Sequence, residues 1–366
     1  MLINDMKRMI KMSHTEKKVL HWINCGKFLA ITCVLIDHTA GVFYSNINIA
    51  KFSCFSVSLF ILLSGITSFY SNRRNAAKRR LKESWRRLSI LLIPYAVATA
   101  VYQLFERKSF DLSTYLLNLL NFNADGMFYF VFFFAQLTII SPFLYDVICA
   151  ANRSKRPRVA HALILLTLVG LIPFLTRFTF MLPLYGAGKY LFGGFFLLLY
   201  YLGMLFASLD ISFKNKKSQI VTAVVSFTLS AALFLYFMFF GYLPSVPLPL
   251  QMEFTGTSVS FGIFAGLVGL FVFSFVSLLE QYNHPLIKKT IRVFSRLGKY
   301  SYYIFLYHWL VCKAVEDVAA RAGISNIWVR RGIGFPAMLL LPCLLKWLYD
   351  VIRQRYISSR AAGCSL

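Results

Sequence analysis

Long apolar stretches alternate with short polar segments along the chain, and this alternation is its main structural signal. About ten of these stretches approach 20 residues, the length that an α-helix needs to cross a bilayer. The pattern predicts an all-α polytopic membrane protein with about ten transmembrane helices. We place them near residues 25–45, 52–71, 88–105, 126–148, 159–177, 190–208, 218–241, 256–279, 293–313 and 329–350.

The polar connections alternate in charge. Lys and Arg concentrate in one set, for example in 73–87, 153–158 and 288–296, whereas the intervening connections are sparse and mixed. Because basic loops stay on the cytoplasmic side of a membrane, this alternation predicts that both termini are cytoplasmic. The expected organisation is a cytoplasmic segment over 1–24, a transmembrane domain over 25–350 and a cytoplasmic tail over 351–366, in a multi-pass protein of the cell membrane.

Composition supports a membrane protein. Of the 366 residues 58% are hydrophobic and 14% are charged, against about 25% charged in a soluble domain. The net charge of +25 would suggest nucleic acid in a soluble protein. Its placement in alternate loops favours topology instead, so we expect membrane lipids as partners and no nucleic acid. The seven cysteines are scattered without a C-x-x-C pair, which indicates neither a metal nor a redox site.

Ionisable residues inside the apolar stretches are few, and such residues usually mark a working site. Lys27 and His38 lie eleven positions apart in the first stretch. At 100° per residue they share one helix face, about 16 Å apart along the axis, with Ile31, Val34 and Leu35 between them. A cation at one end could hold an anionic ligand whose arm reaches the imidazole. An imidazole that titrates near neutrality suits a general base.

Three further polar residues have more than one interpretation. Asp37 is adjacent to His38 but points about 100° away, so whether it contacts that histidine stays open. Ser64 precedes Gly65 in the second stretch, where small residues usually serve close helix packing. His308 shares a face with Ser301 in the ninth stretch, seven residues away, at a depth that an interfacial aromatic belt does not explain.

These segments together resemble the integral-membrane acyltransferase 3 family, over nearly the whole chain. The first stretch is similar to that family's helix with a basic residue eleven positions before its essential histidine. Matching segments follow in order at 57–65, at 86–95, at 127–142 and at 297–308.

The resemblance implies an enzyme that O-acylates extracytoplasmic glycans and related acceptors. The donor would be a cytoplasmic acyl-CoA, with acetyl-CoA expected, and no cofactor would be permanently bound. Lys27, Arg86 and Arg87 would bind the donor phosphates. His38 would be the general base, Ser64 and His308 candidate oxyanion donors, and Asp37 a residue that orients or tunes His38. The acceptor would be a surface glycan or a lipid-linked sugar.

The sequence departs from the family pattern at two donor-binding positions. Lys27 stands where the family usually has Arg, which keeps the charge but loses bidentate phosphate recognition. The Arg-x-x-Arg pattern before the third span is incomplete, because Ile90 follows Arg87 by three residues. A transporter or flippase for a glycan or small metabolite is the alternative function, since buried ions and aromatic-rich spans suit a carrier as well.

Overall fold

A computed structural model describes residues 21–39, 53, 55–75, 77–178, 194–213, 215–240 and 259–363. Twelve α-helices and one short 3-10 helix account for most of these residues, and no strand occurs within those ranges. The helices are α1 (21–38), α2 (Ser56–Arg74), α3 (Ala77–Arg107), α4 (Leu112–Asn121), α5 (Tyr129–Arg153), α6 (Pro157–Phe178), α7 (Phe195–Ser208), α8 (Lys216–Phe240), α9 (Val259–Leu279), α10 (Pro285–Lys299), α11 (Ser301–Arg321) and α12 (Ile327–Gly363).

Each predicted span overlaps at least one described helix, which confirms the all-α class within the ranges given above. Five described helices are long and apolar enough on their own to cross a membrane, over Arg79–Arg107, Gly126–Arg153, Lys216–Phe239, Phe261–Leu279 and Ile327–Ile352. Helices such as α2 and α11 carry serines or charged residues, for example Lys313 and Glu316 in α11. Such residues lower a helix's hydropathy. The count of about ten spans and the cytoplasmic termini remain predictions.

The ninth predicted span differs from the structure. The sequence places one helix over 293–313, whereas α10 ends at Lys299 and α11 begins at Ser301. A side chain at Gly298 is excluded by packing, because a Cβ there would lie 1.8 Å from the Asn24 carbonyl oxygen. Because α10 ends at Lys299, the basic residues before Tyr300 belong to a different helix from His308. The N-terminal segment predicted over 1–24 lies largely outside the described residues.

The chain divides into two compact units. The terminal unit comprises residues 1–53 and 279–366, and the central unit comprises 54–278. In the terminal unit α1 packs against α10, where the Phe28 and Phe294 rings stack 4.8 Å apart. The Asn24 side-chain amide also donates to the Ser295 hydroxyl at 3.3 Å. The last two helices are joined by an ion pair between Arg330 and Glu316 at 3.0 Å.

The central unit is built around a close crossing of α2 and α7. A Cβ on Gly65 would lie 2.2 Å from the Tyr200 carbonyl oxygen, and one on Gly203 would lie 2.1 Å from the Leu62 carbonyl oxygen. Only glycine lets the two backbones approach this closely, as at many helix crossings in lipid. The crossing explains Gly65 through packing, which is the structural interpretation that its sequence context favoured.

Candidate active site

Two histidines of the terminal unit lie in direct contact. His38, at the end of α1, and His308, in the second turn of α11, approach to 2.7 Å between Nδ1 of His38 and Nε2 of His308. Their rings stack with centroids 4.9 Å apart and planes inclined by 26°. The residues are separated by 270 positions in the chain, so the tertiary fold alone brings them together.

The backbone of α11 determines which nitrogen of each ring carries a proton. Nδ1 of His308 lies 2.8 Å from the Phe305 carbonyl oxygen and 3.1 Å from that of Ile304. A carbonyl only accepts, so this Nδ1 carries the hydrogen. His308 is fully buried, and burial disfavours a charged imidazolium. Its Nε2 therefore bears a lone pair and accepts the Nδ1 hydrogen of His38.

The same logic assigns the remaining nitrogen of His38. With its Nδ1 hydrogen donated to His308, the neutral His38 ring bears its lone pair on Nε2. The His38 side chain is only partly buried, in contrast to His308. The arrangement can accept a proton at Nε2 of His38, while His308 holds the ring in the tautomer that permits it.

Both nitrogens of His308 are engaged in these hydrogen bonds. A group that stabilises an oxyanion needs a donor directed at the substrate oxygen. The geometry thus favours an orienting function for His308 over the oxyanion function that the sequence suggested.

Asp37 lies beside His38 but does not hold its ring. The Asp37 carboxylate accepts a hydrogen bond from the Ser53 hydroxyl at 3.3 Å, and its side chain is exposed. Its interaction with His38 is electrostatic. The ring of His38 is oriented by His308 instead, a residue of a different helix.

Lys27 and His38 occupy one continuous helix, as predicted. The residues between them on that face are buried, with 0%, 3% and 2% exposure for Ile31, Val34 and Leu35. These three side chains therefore pack in the core of the terminal unit and do not line an open groove. This finding corrects the expectation that the donor arm follows them directly from Lys27 to His38.

The central unit contains a second cluster, centred on Arg87. Nη2 of Arg87 donates a hydrogen bond to the Ser68 hydroxyl, which also accepts a hydrogen bond from the Tyr200 hydroxyl. Ser68 and Tyr200 are fully buried. Nη1 of Arg87 is also buried, and among the described residues it has no hydrogen-bond partner. A buried guanidinium nitrogen with unused donors suits an anionic ligand.

Arg86, its neighbour in the chain, is placed differently. The Arg86 guanidinium is exposed and forms a two-point ion pair with Glu83, with Nε to Oε2 at 2.8 Å and Nη2 to Oε1 at 2.5 Å. Its charge is already matched by a carboxylate on the same helix. The structure thus distinguishes two arginines that the sequence treated together.

Ser64 lies in the central unit, where it is almost fully buried in α2 next to the Gly65 crossing. Its assignment as an oxyanion donor stays a prediction. Within the described part of the chain, no group of three or more His, Cys, Asp or Glu side chains could hold a metal ion.

The sequence did not identify the side chains that contact Asp37 and Arg87. It did not connect Ser53, Ser68 or Tyr200 with either residue, because Ser and Tyr are common in membrane helices whether or not they contact a functional residue. For Ser68 a weak signal existed, since it lies four residues after Ser64 on the same flank of α2.

A family model described as an acyltransferase domain matches residues 20–347. Comparisons with curated proteins and with solved structures gave no match. The matched range includes both histidines and the Arg87 cluster, and it leaves only the ends of the chain uncovered. The chain therefore belongs to the acyltransferase 3 family of membrane proteins and is an acyltransferase that transfers groups other than aminoacyl groups.

Proposed function

We propose that this protein is a membrane O-acyltransferase that moves an acyl group from a cytoplasmic acyl-CoA to a hydroxyl of a surface or lipid-linked glycan. Acetyl-CoA is the expected donor, and His38 is the general base. The observation that carries the proposal is the 2.7 Å contact between His38 and His308, whose hydrogen-bond pattern leaves a lone pair on Nε2 of a partly accessible imidazole.

The reaction is a direct displacement. Nε2 of His38 takes the proton of the acceptor hydroxyl while that oxygen attacks the thioester carbonyl carbon. A C–O bond forms, the C–S bond breaks, and the coenzyme A thiolate leaves with the proton that His38 has gained. No acyl-enzyme is needed, and His38 returns to its starting tautomer.

Arg87 of the central unit is the main candidate for binding a donor phosphate. Nη1 of Arg87 supplies a buried donor for a phosphate oxygen, and its position is fixed by the Ser68 and Tyr200 hydroxyls. In the terminal unit, Lys27 stays a candidate for donor binding on the evidence of the family resemblance, and it lies in the second turn of α1, the helix that carries His38. Arg86 has a lesser part, because Glu83 already neutralises it.

A reconstituted assay tests this function against the transport alternative. Purified protein in vesicles receives acetyl-CoA on one side and a lipid-linked glycan on the other, and release of free coenzyme A thiol is followed. The proposal requires thiol release and an acetylated glycan detected by mass spectrometry. Glycan movement without thioester cleavage would establish a carrier and overturn the proposal.

The variant His38→Ala tests the base. We expect a loss of about 10²- to 10⁴-fold in turnover, which is the usual contribution of general acid–base catalysis. His161→Gln is the matched control, because His161 is another buried histidine of the chain and lies in a closed hydrogen-bond network. Wild-type turnover in His38→Ala would remove His38 from the mechanism.

A further inference from the structure

Helix α10 has three distinct faces. At 100° per residue, Ile291, Ser295 and Gly298 share an arc of about 60°. All three are buried. This is the face that packs against α1, where the Ser295 hydroxyl meets the side chain of Asn24.

The second face of α10 is basic. Five cations occupy an arc of about 100°, and each is exposed: Lys288, Lys289, Arg292, Arg296 and Lys299. The helix contains no acidic residue, and no carboxylate of the described residues forms an ion pair with these five. The side chain of Lys288 donates to the Asn283 amide oxygen, which leaves its charge unmatched.

The third face is apolar and exposed. Leu286 is 64% exposed and Val293 is 45% exposed, and both lie on the side of the basic arc opposite the buried face. A helix in contact with water alone would gain nothing from large aliphatic side chains here. An apolar face beside a basic face is typical of helices that lie in the headgroup region of a membrane.

We propose that α10 is a binding surface for anionic phospholipids of the cytoplasm-facing leaflet. Its basic face contacts the phosphate headgroups, and its apolar face enters the acyl-chain boundary. The proposal rests on the predicted topology, which places 288–296 on the cytoplasmic side. Because α10 also packs against α1, bound lipid would fix the helix that carries Lys27 and His38.

Hydrogen–deuterium exchange on the full-length protein tests this surface without an acyl donor. The protein is held in zwitterionic detergent micelles, to which phosphatidylglycerol or phosphatidylcholine is added. We expect phosphatidylglycerol to slow amide exchange over 285–299, to do so less at high salt, and phosphatidylcholine to have little effect. Equal protection by both lipids, or protection by neither, would overturn the proposal.

A triple variant and a matched control assign the effect to the basic face. In K289Q/R292Q/R296Q we expect the phosphatidylglycerol concentration for half-protection to rise tenfold or more, since each cation near an anionic surface contributes roughly a fivefold effect. K155Q/R156Q/R158Q removes the same charge from exposed residues between α5 and α6 and in the first turn of α6, in the central unit, and should stay within about twofold of wild type. An unchanged half-protection concentration in the first variant would contradict the assignment.

Coenzyme A distinguishes the lipid from the donor as the source of the phosphate. If the face bound the donor, coenzyme A would protect 285–299 and displace phosphatidylglycerol, and the lipid proposal would be overturned. Because no step requires turnover, a negative result leaves the proposed reaction standing. An inactive enzyme would likewise leave the lipid surface standing.

Discussion

Each unit of the protein contains a buried histidine with both ring nitrogens hydrogen-bonded, but the two histidines have different side-chain partners. In the central unit, Nε2 of His161 donates to the Asn152 amide oxygen and Nδ1 accepts from the Tyr201 hydroxyl, both at 2.8 Å. Amide and phenol side chains do not exchange protons near neutral pH. In the terminal unit the network of His308 ends on a second imidazole, His38. Burial of a histidine therefore does not by itself indicate catalysis, and the two networks differ in whether the partner side chain can titrate near neutral pH.

The neighbouring arginines of α3 repeat the contrast. The Arg86 guanidinium forms a two-point ion pair with Glu83. Arg87 uses one nitrogen on Ser68 and keeps another buried without a partner among the described residues. Of the two arginines, Arg87 is therefore the candidate for ligand binding, whereas the ion pair of Arg86 lies within its own helix.

A substitution that affects only helix packing shows how large a purely structural effect can be, and among the variants compared below it has the largest expected effect on stability. Gly65→Ala places a Cβ 2.2 Å from the Tyr200 carbonyl oxygen, so we expect a loss of about 3 kcal/mol of stability from overpacking. Thermal unfolding in detergent measures it. Gly266→Ala, whose Cβ would meet nothing within 4 Å in the described part of the chain, is the control. Equal unfolding midpoints would contradict the close crossing.

The same substitution at His308 and at His161 should have different effects on turnover and on stability. His308→Leu should lower turnover by about 10- to 100-fold, as loss of an orienting hydrogen bond does at other histidine sites, while donor affinity stays unchanged. His161→Leu should lower the unfolding midpoint and leave turnover per folded molecule intact. His308→Gln, which can still accept from His38, should recover part of the activity. Equal effects on turnover would break the distinction.

The arginines are compared through donor affinity. Arg87→Gln should raise the dissociation constant of coenzyme A about tenfold, because it removes a charge-assisted hydrogen bond. Arg86→Gln should change it by less than about threefold, as is usual for an exposed residue already in an ion pair. Isothermal titration calorimetry measures both. A larger effect at Arg86 would reverse the assignment of the donor site.

The smallest expected effect concerns the N-cap of α4, where the Asp111 side chain accepts a hydrogen bond from the backbone N–H of Thr114. The Thr114 hydroxyl and backbone N–H hold the pKa of Asp111 below its ordinary value. A lowered pKa stabilises the folded cap above the unfolded pKa of about 3.9, and this contribution is lost as the pH falls through the folded value. The exchange protection of the Thr114 amide, corrected for intrinsic rates, should decline below that pH. Asp111→Asn should keep the protection and remove its pH dependence.

Hydrophobic patterning predicted the helices well, because apolar length is a local property. Each of the ten predicted spans overlaps at least one helix in the part of the chain that the structure describes. The ninth was wrong at its start, since the boundary at Tyr300 accompanies the packing of Gly298 on Asn24 and not any apolar pattern. The connection between the third and fourth predicted spans also contains α4, an amphipathic helix too short to cross a bilayer.

For the candidate site, the sequence identified the residue types but not their relations. Lys27 and His38 were identifiable because they share one helix, whose periodicity fixes their spacing. The buried state of Ile31 and Val34 between them was not identifiable, since it depends on which helices cover that face.

The sequence by itself determined the helical class, the membrane-protein character, the acyltransferase resemblance and the histidines that merit attention. All of these follow from composition, periodicity or order along the chain. Only the tertiary structure decided that a backbone carbonyl orients the ring of His308 and that His308 in turn orients the ring of His38. It also decided that Arg86, and not Arg87, forms an ion pair with Glu83. Hydrogen bonds depend on direction and on separations of a few ångströms, and the chain brings distant residues to such separations only by folding.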